Sequence, residues 1–362
     1  MRSVALKPLL LASAIAALWG CATLPHNISL PAVDVAASGE TEPVGTANTD
    51  AADDPAIWRN PVDPSASLIV GTDKRAGIHV YRLDGRAVGF APAGEINNVD
   101  LRDGVAWQGR RIVLVGASNR NSLTQPRLSF FALDTRSGAL EPMAEMPVPG
   151  ADGEAYGFCL GRIGNDPMPR AYLVTKAGRI DEVRIHAGSG APVRLERTRS
   201  FRLRTQSEGC VVDDRTGQLY VGEEDVGVWR IDLNQSAPTP VMFASVGVPQ
   251  GLVADVEGLA LAPEGERGGL LVVSSQGDNA YALLDLASGA LRGRFRINGG
   301  PIGGTSETDG IELMLGDFGP RYREGLFVAQ DGDNAPRPQN FKLVSWAGVR
   351  AALAAPPTPA AR

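Results

Sequence analysis

Histidine and cysteine are nearly missing from this 362-residue chain, which holds three of each. His26, His79 and His186 sit in no ligand-like spacing, which argues against zinc and iron centres. The same scarcity argues against a phosphohistidine or phosphocysteine intermediate. No GxSxG elbow, P-loop or CxxxxxR loop occurs, so nucleophilic catalysis by a side chain has no candidate. Basic charge is not in excess either. The formal net charge is −6, and loss of Arg2 and Lys7 with a cleaved leader takes it to −8. An acidic chain is a poor partner for nucleic acid, although a local basic cluster can hold a small polyanion. After the first twenty residues there is no long apolar run and no segment with a convincing helical period.

What is present begins with a leader. MRSVALKPLLLASAIAALWGC has basic residues, an apolar run from Pro8 to Leu18 and small residues before Cys21. That pattern reads as a secretory signal over residues 1–20, too short to stay as a membrane span. LWGC resembles the bacterial lipobox, which makes Cys21 the expected lipidation site. The expected location is the outer membrane or periplasm through that anchor, or release, with no other membrane contact. Residues 21–48, rich in Ala, Pro, Ser and Thr, read as a flexible tether, and 349–362 as a disordered tail. Cys159 and Cys210 lie among apolar strand residues. Export permits a disulfide, but two buried thiols are the expectation.

Between residues 49 and 348 one beat recurs six times. Asp54, Asp100, Tyr156, Glu208, Glu257 and Asp309 each open an apolar strand. Lys74, Arg120, Lys176, Glu224, Gln276 and Asp331 each close another, 16 to 22 residues later. Strand pairs such as SLIVGT with GIHVYRL and QLYVGE with VGVWRI fill each repeat, separated by polar turns. Strand-only repeats of roughly 40–60 residues predict an all-β, six-bladed propeller of four-stranded antiparallel blades. In that geometry the openers and closers form two polar rings at one mouth of the channel.

The rings are sorted by charge. Lys74, Arg120 and Lys176, with Arg75 and Arg179 near them in sequence, form a basic arc suited to phosphate. Glu208, Glu223, Glu224, Asp225, Asp255, Glu257, Asp309, Asp331, Asp53 and Asp54 form an acidic arc. Converging carboxylates cannot all stay ionised cheaply without a cation. Oxygen-only ligands, with Asn98 and Gln276 in reach, suit Ca²⁺. The chemistry that remains is metal-assisted attack of water on phosphorus.

DDPAIW, NNVDLR, ASNR, YGFC, EGCVVDDRTGQLYVGEEDVGVW, ADVEGL, SSQG, TDGI and GLFVAQDG with NFK together resemble the β-propeller phytases, from about Asp50 to Trp346. The resemblance implies calcium-dependent hydrolysis of phytate, or of calcium-phytate, by a monomer. It implies phosphate contacts at Lys74, Arg120, Tyr156 and Lys176, with Arg179 added to the substrate side and Glu224 to the catalytic group. It implies catalytic calcium ligands at Asp53, Glu208, Glu224, Asp255, Glu257 and Gln276, with Asp309 beside them. Structural calcium falls to Asp54, to the carbonyls of Pro55 and Val99, and to Asp333 and Asn334. The chain departs from the family pattern at Gly303, where an acidic residue is usual, at Asp333, where Glu is usual, and in the VTKAG loop carrying Lys176. Two other readings stay open. One is a calcium-containing lactonase propeller, which would not need the three cations. The other is a non-catalytic propeller that holds inositol phosphates.

Overall fold

The computed structural model describes residues 29–47, 49–164, 166–188 and 190–355. Six sheets form the blades, the first four each made of four consecutive antiparallel strands. Their innermost strands are Ala52–Trp58, Ile96–Trp107, Ala155–Gly161, Ser207–Asp213, Val256–Glu264 and Ile311–Leu315. Strand residues alternate between the two faces of a blade, and the apolar sets of neighbouring blades interlock. Phe158, Leu160 and Leu173 of the third blade pack with Leu114 and Phe130 of the second. Tyr281 and Phe295 of the fifth meet Phe327 and Trp346 of the sixth.

Four of the opening residues are followed by glycine: Tyr156-Gly157, Glu208-Gly209, Glu257-Gly258 and Asp309-Gly310. The reason is close approach. A Cβ on Gly157 would overlap the carbonyl of Glu208, one on Gly209 that of Glu257, one on Gly258 the amide of Ile311, and one on Gly310 the backbone and side chain of Asp54. Each inner strand therefore lies against the next, and the residue before each glycine is carried to the channel wall.

The register slips at one place in five blades. The pairing breaks between Ala52 and Pro55, Ile96 and Val99, Ala155 and Phe158, Ser207 and Cys210, and Val256 and Leu259. A bulge re-aims the side chain it carries. Here it carries Asp53, Asn97, Tyr156, Glu208 and Glu257. The true openers of the first two blades are thus Asp53 and Asn97, not Asp54 and Asp100. Counting from apolar runs misses the extra residues that the bulges insert.

The closers have an equally regular signature. The backbone N–H of Lys74, Arg120, Lys176, Glu224, Gln276 and Gly332 donates to Ala51, Glu95, Glu154, Gln206, Asp255 and Ser306 respectively. The sixth closer is therefore Gly332 rather than Asp331. Asp331 belongs one step back with Asp73, Asn119, Thr175, Glu223 and Ser275, all buried and polar.

Both ends of the chain take part in closure. Val33–Val35 adds a fifth, parallel strand to the fifth blade, with Val33 opposite Phe295. Gly39–Glu40 supplies the outermost strand of the sixth, with Glu40 opposite Lys342. These strands lie inside the segment expected to be a tether. Nearer the start, Leu30 accepts from Arg294, and Ser29 donates to Asp278 at 2.5 Å. The expected tail also begins with structure: Trp346–Ala354 is a helix whose Trp346 and Val349 are buried. The expectation of free thiols is overturned as well. Cys159 and Cys210 form a disulfide between the inner strands of blades three and four, with Cα atoms 5.8 Å apart. Cys159 lies three residues after Tyr156 and Cys210 two after Glu208, and on abutting strands this offset of one brings them into bonding range. The leader and Cys21 lie outside the described residues, and no described helix is long and apolar enough to cross a membrane.

Candidate active site

At the mouth where the openers begin and the closers end, a cavity of about 320 Å³ is lined by Asp50, Lys74, Tyr156, Gln206, Glu208, Glu224, Asp255, Glu257, Gln276 and Asp309 among others. Eight of the expected site residues line it: Lys74, Tyr156, Glu208, Glu224, Asp255, Glu257, Gln276 and Asp309. Lys74 Nζ lies 3.0 Å from Asp309, 2.9 Å from Asp50 and 3.6 Å from Asp53. Burial works against charge on this ammonium, but Asp53, Asp309 and Asp50 outweigh it and hold its pKa well above the ordinary lysine range. Gln276 Nε2 donates to Asp309 Oδ1 at 2.6 Å.

The rest of the basic arc is built around Tyr156. The Arg120 guanidinium lies 5.4 Å and the Lys176 ammonium 5.0 Å from the centre of its ring. Cations favour the electron-rich face of an aromatic ring, so one side chain orients two charges. Burial and the carboxylates of Glu208, Glu257 and Glu224 push the Tyr156 phenol far up, and it keeps its proton. Arg179 does not join the arc. It pairs with Asp152, in the loop before the inner strand of blade three, and with Asp181 at 2.9 Å on its own strand.

Opposite stand the acids. Glu208, Glu224 and Glu257 are buried, and each offers one carboxylate oxygen within 4.8 Å of the others. Burial pushes Glu208 up to about 7, and Asp309 adds to it. Burial pushes Glu224 up to about 7 as well, with Glu208 and Asp255 adding. Glu257 and Asp53 are also raised well above the carboxylate range, Glu257 by burial and the surrounding carboxylates, Asp53 by burial against the opposing pull of Lys74. Both oxygens of Asp53, Oε1 of Glu224 and Oε2 of Glu257 are buried with no hydrogen-bond partner. Clustered, unpartnered hard oxygens fit a divalent cation, which would satisfy them and remove the mutual repulsion.

The two expected structural sites differ. Asp54, Pro55 and Val99 gather deeper in the channel around a cavity of about 20 Å³, with Asp100 and Glu312 on its wall. Asp54 accepts from the Val99 N–H, and burial raises its pKa. Burial also pushes Glu312 up to about 8, with Asp100 adding. These donors fit a cation. Asp333 and Asn334 do not assemble a comparable set. Asn334 Oδ1 accepts from Lys342 and Arg337. A Cβ on Gly303 would meet nothing within 4 Å. The Lys342 ammonium itself sits among Glu40 (2.8 Å), Asp331 (3.0 Å), Asn340 (3.0 Å) and Asn334 (3.2 Å).

Sequence reasoning passed over Asn97, Glu154 and Gln206. Asn97 is the opener of blade two. Glu154 and Gln206 stand two residues before their openers, as Asp255 does before Glu257. That shared offset was the available signal.

The family model described as Phytase matches residues 3–358. A curated 3-phytase of Bacillus subtilis (strain 168) is 37% identical over 323 residues, covering 86% of this chain and 83% of the relative. A solved chain from a crystal structure of the mitotic checkpoint complex superposes with a TM-score of 0.47 at 14% identity, over 96% of this chain and 86% of that one, a likeness too distant to bear on function.

Proposed function

The chain belongs to the phytase family, and from that premise we propose that it hydrolyses phosphomonoesters of phytate at the channel mouth, in a calcium-dependent reaction. The observation that carries this reading is the meeting, at one mouth, of Lys74 beside Asp309, and of Arg120 and Lys176 against the Tyr156 ring, with a carboxylate cluster whose oxygens lack partners.

Glu208, Glu224 and Glu257 would hold the cation, with Asp53, Asp255 and Gln276 beside them. Bound calcium supplies Lewis acidity, drawing charge from a phosphoryl oxygen and acidifying water. Lys74, Arg120 and Lys176 bind the substrate phosphate and stabilise the charge that builds on its oxygens. The Tyr156 phenol, kept protonated, donates a hydrogen bond and holds Arg120 and Lys176 in place. Glu224 Oε1, buried and without a partner, would be one of the oxygens offered to the cation. Asp54, Pro55 and Val99 would hold a second cation that stiffens the channel. We further propose that the protein is exported and anchored through Cys21.

The test is phosphate release from phytate with and without added Ca²⁺, beside Glu224→Gln. Release should need calcium and fall about 100-fold or more in the variant, the scale seen when a transition-state contact is lost. No release in calcium-replete buffer would sink the enzyme reading, and release indifferent to chelation would sink the calcium requirement.

A further inference from the structure

Of the six in-phase positions at the mouth, the one in blade two is held by a neutral amide. Asn97 is fully buried. Its Oδ1 accepts from Arg120 Nη1 at 2.7 Å, and its Nδ2 donates to Glu208 Oε1 at 2.6 Å. We propose that Asn97 is a positioning residue that joins the phosphate-binding arc to the cation-holding arc, fixing Arg120 and Glu208 against each other. The proposal deepens the calcium-phytase reading of the same site and rests on it.

The residue type follows from the two neighbours. A guanidinium can only donate and a carboxylate can only accept. A buried side chain between them must therefore accept on one side and donate on the other. An amide does both with no charge of its own. A carboxylate could answer Arg120 but would face Glu208 with like charge. An apolar side chain would leave a donor and an acceptor unpaired in a buried place, a costly outcome.

Arg120 is held from three directions. Asn97 takes one terminal nitrogen, Glu154 takes the other, and the Tyr156 ring lies against the guanidinium. Nε is left buried and without a partner. Glu154 and Asn97 thus share the work on Arg120, but only Asn97 also reaches the acidic arc. That difference separates a coupling role from simple support.

The experiment uses two probes that need no turnover: Ca²⁺ titrated alone, and inorganic phosphate titrated into calcium-free protein, both by calorimetry. Asn97→Ala should weaken both by about tenfold or more, the scale of losses when the partner of a metal ligand is removed. Glu154→Gln should weaken phosphate and leave calcium within about twofold of the unmodified protein. If Asn97→Ala does not fold, Asn97→Ser, whose hydroxyl is too short to span both neighbours, carries the same expectation. An Asn97 variant that folds and changes only one affinity, or neither, overturns the bridge. So does a Glu154→Gln that lowers calcium affinity as much as Asn97→Ala. If the unmodified protein takes up no calcium, the proposed function falls and the bridge with it. Calcium uptake that is equal in unmodified and Asn97 proteins sinks the bridge alone.

Discussion

Lys74 Nζ and Asp309 Oδ2 lie 3.0 Å apart although 235 residues separate them in the chain. Lys74 closes the second strand of blade one, and Asp309 opens blade six. Their pair is the seam at which the basic and acidic arcs meet. Lys74→Met should therefore do two kinds of harm. It removes a cation that faces the substrate phosphate, and it leaves Asp53 and Asp309 without their positive neighbour. We expect kcat/KM for phytate to fall about 100-fold or more. Phosphate-release kinetics read this directly, and a fall below about fivefold would show that Lys74 does not serve the reaction.

Metal removal should loosen the fold. Ions that bind only the folded state add about 2.7 kcal/mol at a hundred times their dissociation constant. The Tm in excess chelator should lie several degrees below that in calcium, and the gap should shrink in Glu257→Gln. An identical Tm in both buffers would count against cation binding at these carboxylates.

The Cys159–Cys210 bridge spans 51 residues of sequence. Closing a loop of that size in the unfolded chain contributes about 4 kcal/mol in the entropy model. Cys159→Ala with Cys210→Ala should lower the denaturation midpoint by a corresponding amount and leave KM unchanged, because neither residue lines the cavity at the mouth. Denaturant melts with and without reductant are the check.

Acid should open the ring closure. Burial raises the Glu40 carboxyl, but hydrogen bonds from Lys342, Arg337 and Asn340 outweigh it and bring its pKa down to about 2. A lowered carboxylate pKa gives stability that is complete above the unfolded value of about 4.5 and is lost as pH falls toward 2. The contribution is at most about 3 kcal/mol. Glu40→Gln should be less stable than the unmodified protein at pH 6 and nearly level with it near pH 2. A constant difference across that range would contradict the assignment.

The blades were legible because each pair of strands carries a long β-branched run between polar turns. The charges at the mouth were legible because closers such as Lys74, Arg120 and Glu224 break a turn chemistry that favours Gly, Asn and Ser. The phase was not. Bulges insert residues with no compositional mark, so Asp54 and Asp100 stood in for Asp53 and Asn97. Val33–Val35 and Gly39–Glu40 were missed because three and two residues cannot show a period. The disulfide was missed because apolar flanks suit a buried thiol as well as a bridge. Only the abutting of two inner strands distinguishes them. Arg179 was placed at the site by its nearness to Lys176 in sequence, but the strand it starts carries it toward Asp152 and Asp181.

Glu40 and Lys342 are 302 residues apart. A chain made from its N-terminus onward has the outermost strand of its last blade in hand before any blade exists, and must carry it unpaired until the final strand arrives. Contacts this distant in sequence slow folding and leave strand edges open to other chains in the meantime. Blades one to four are assembled from neighbours in sequence, whereas the fifth and sixth also take strands from the N-terminal segment, so the yield of native protein should depend on the strand Asn340–Ser345 more than on any stretch of similar length within the first four blades.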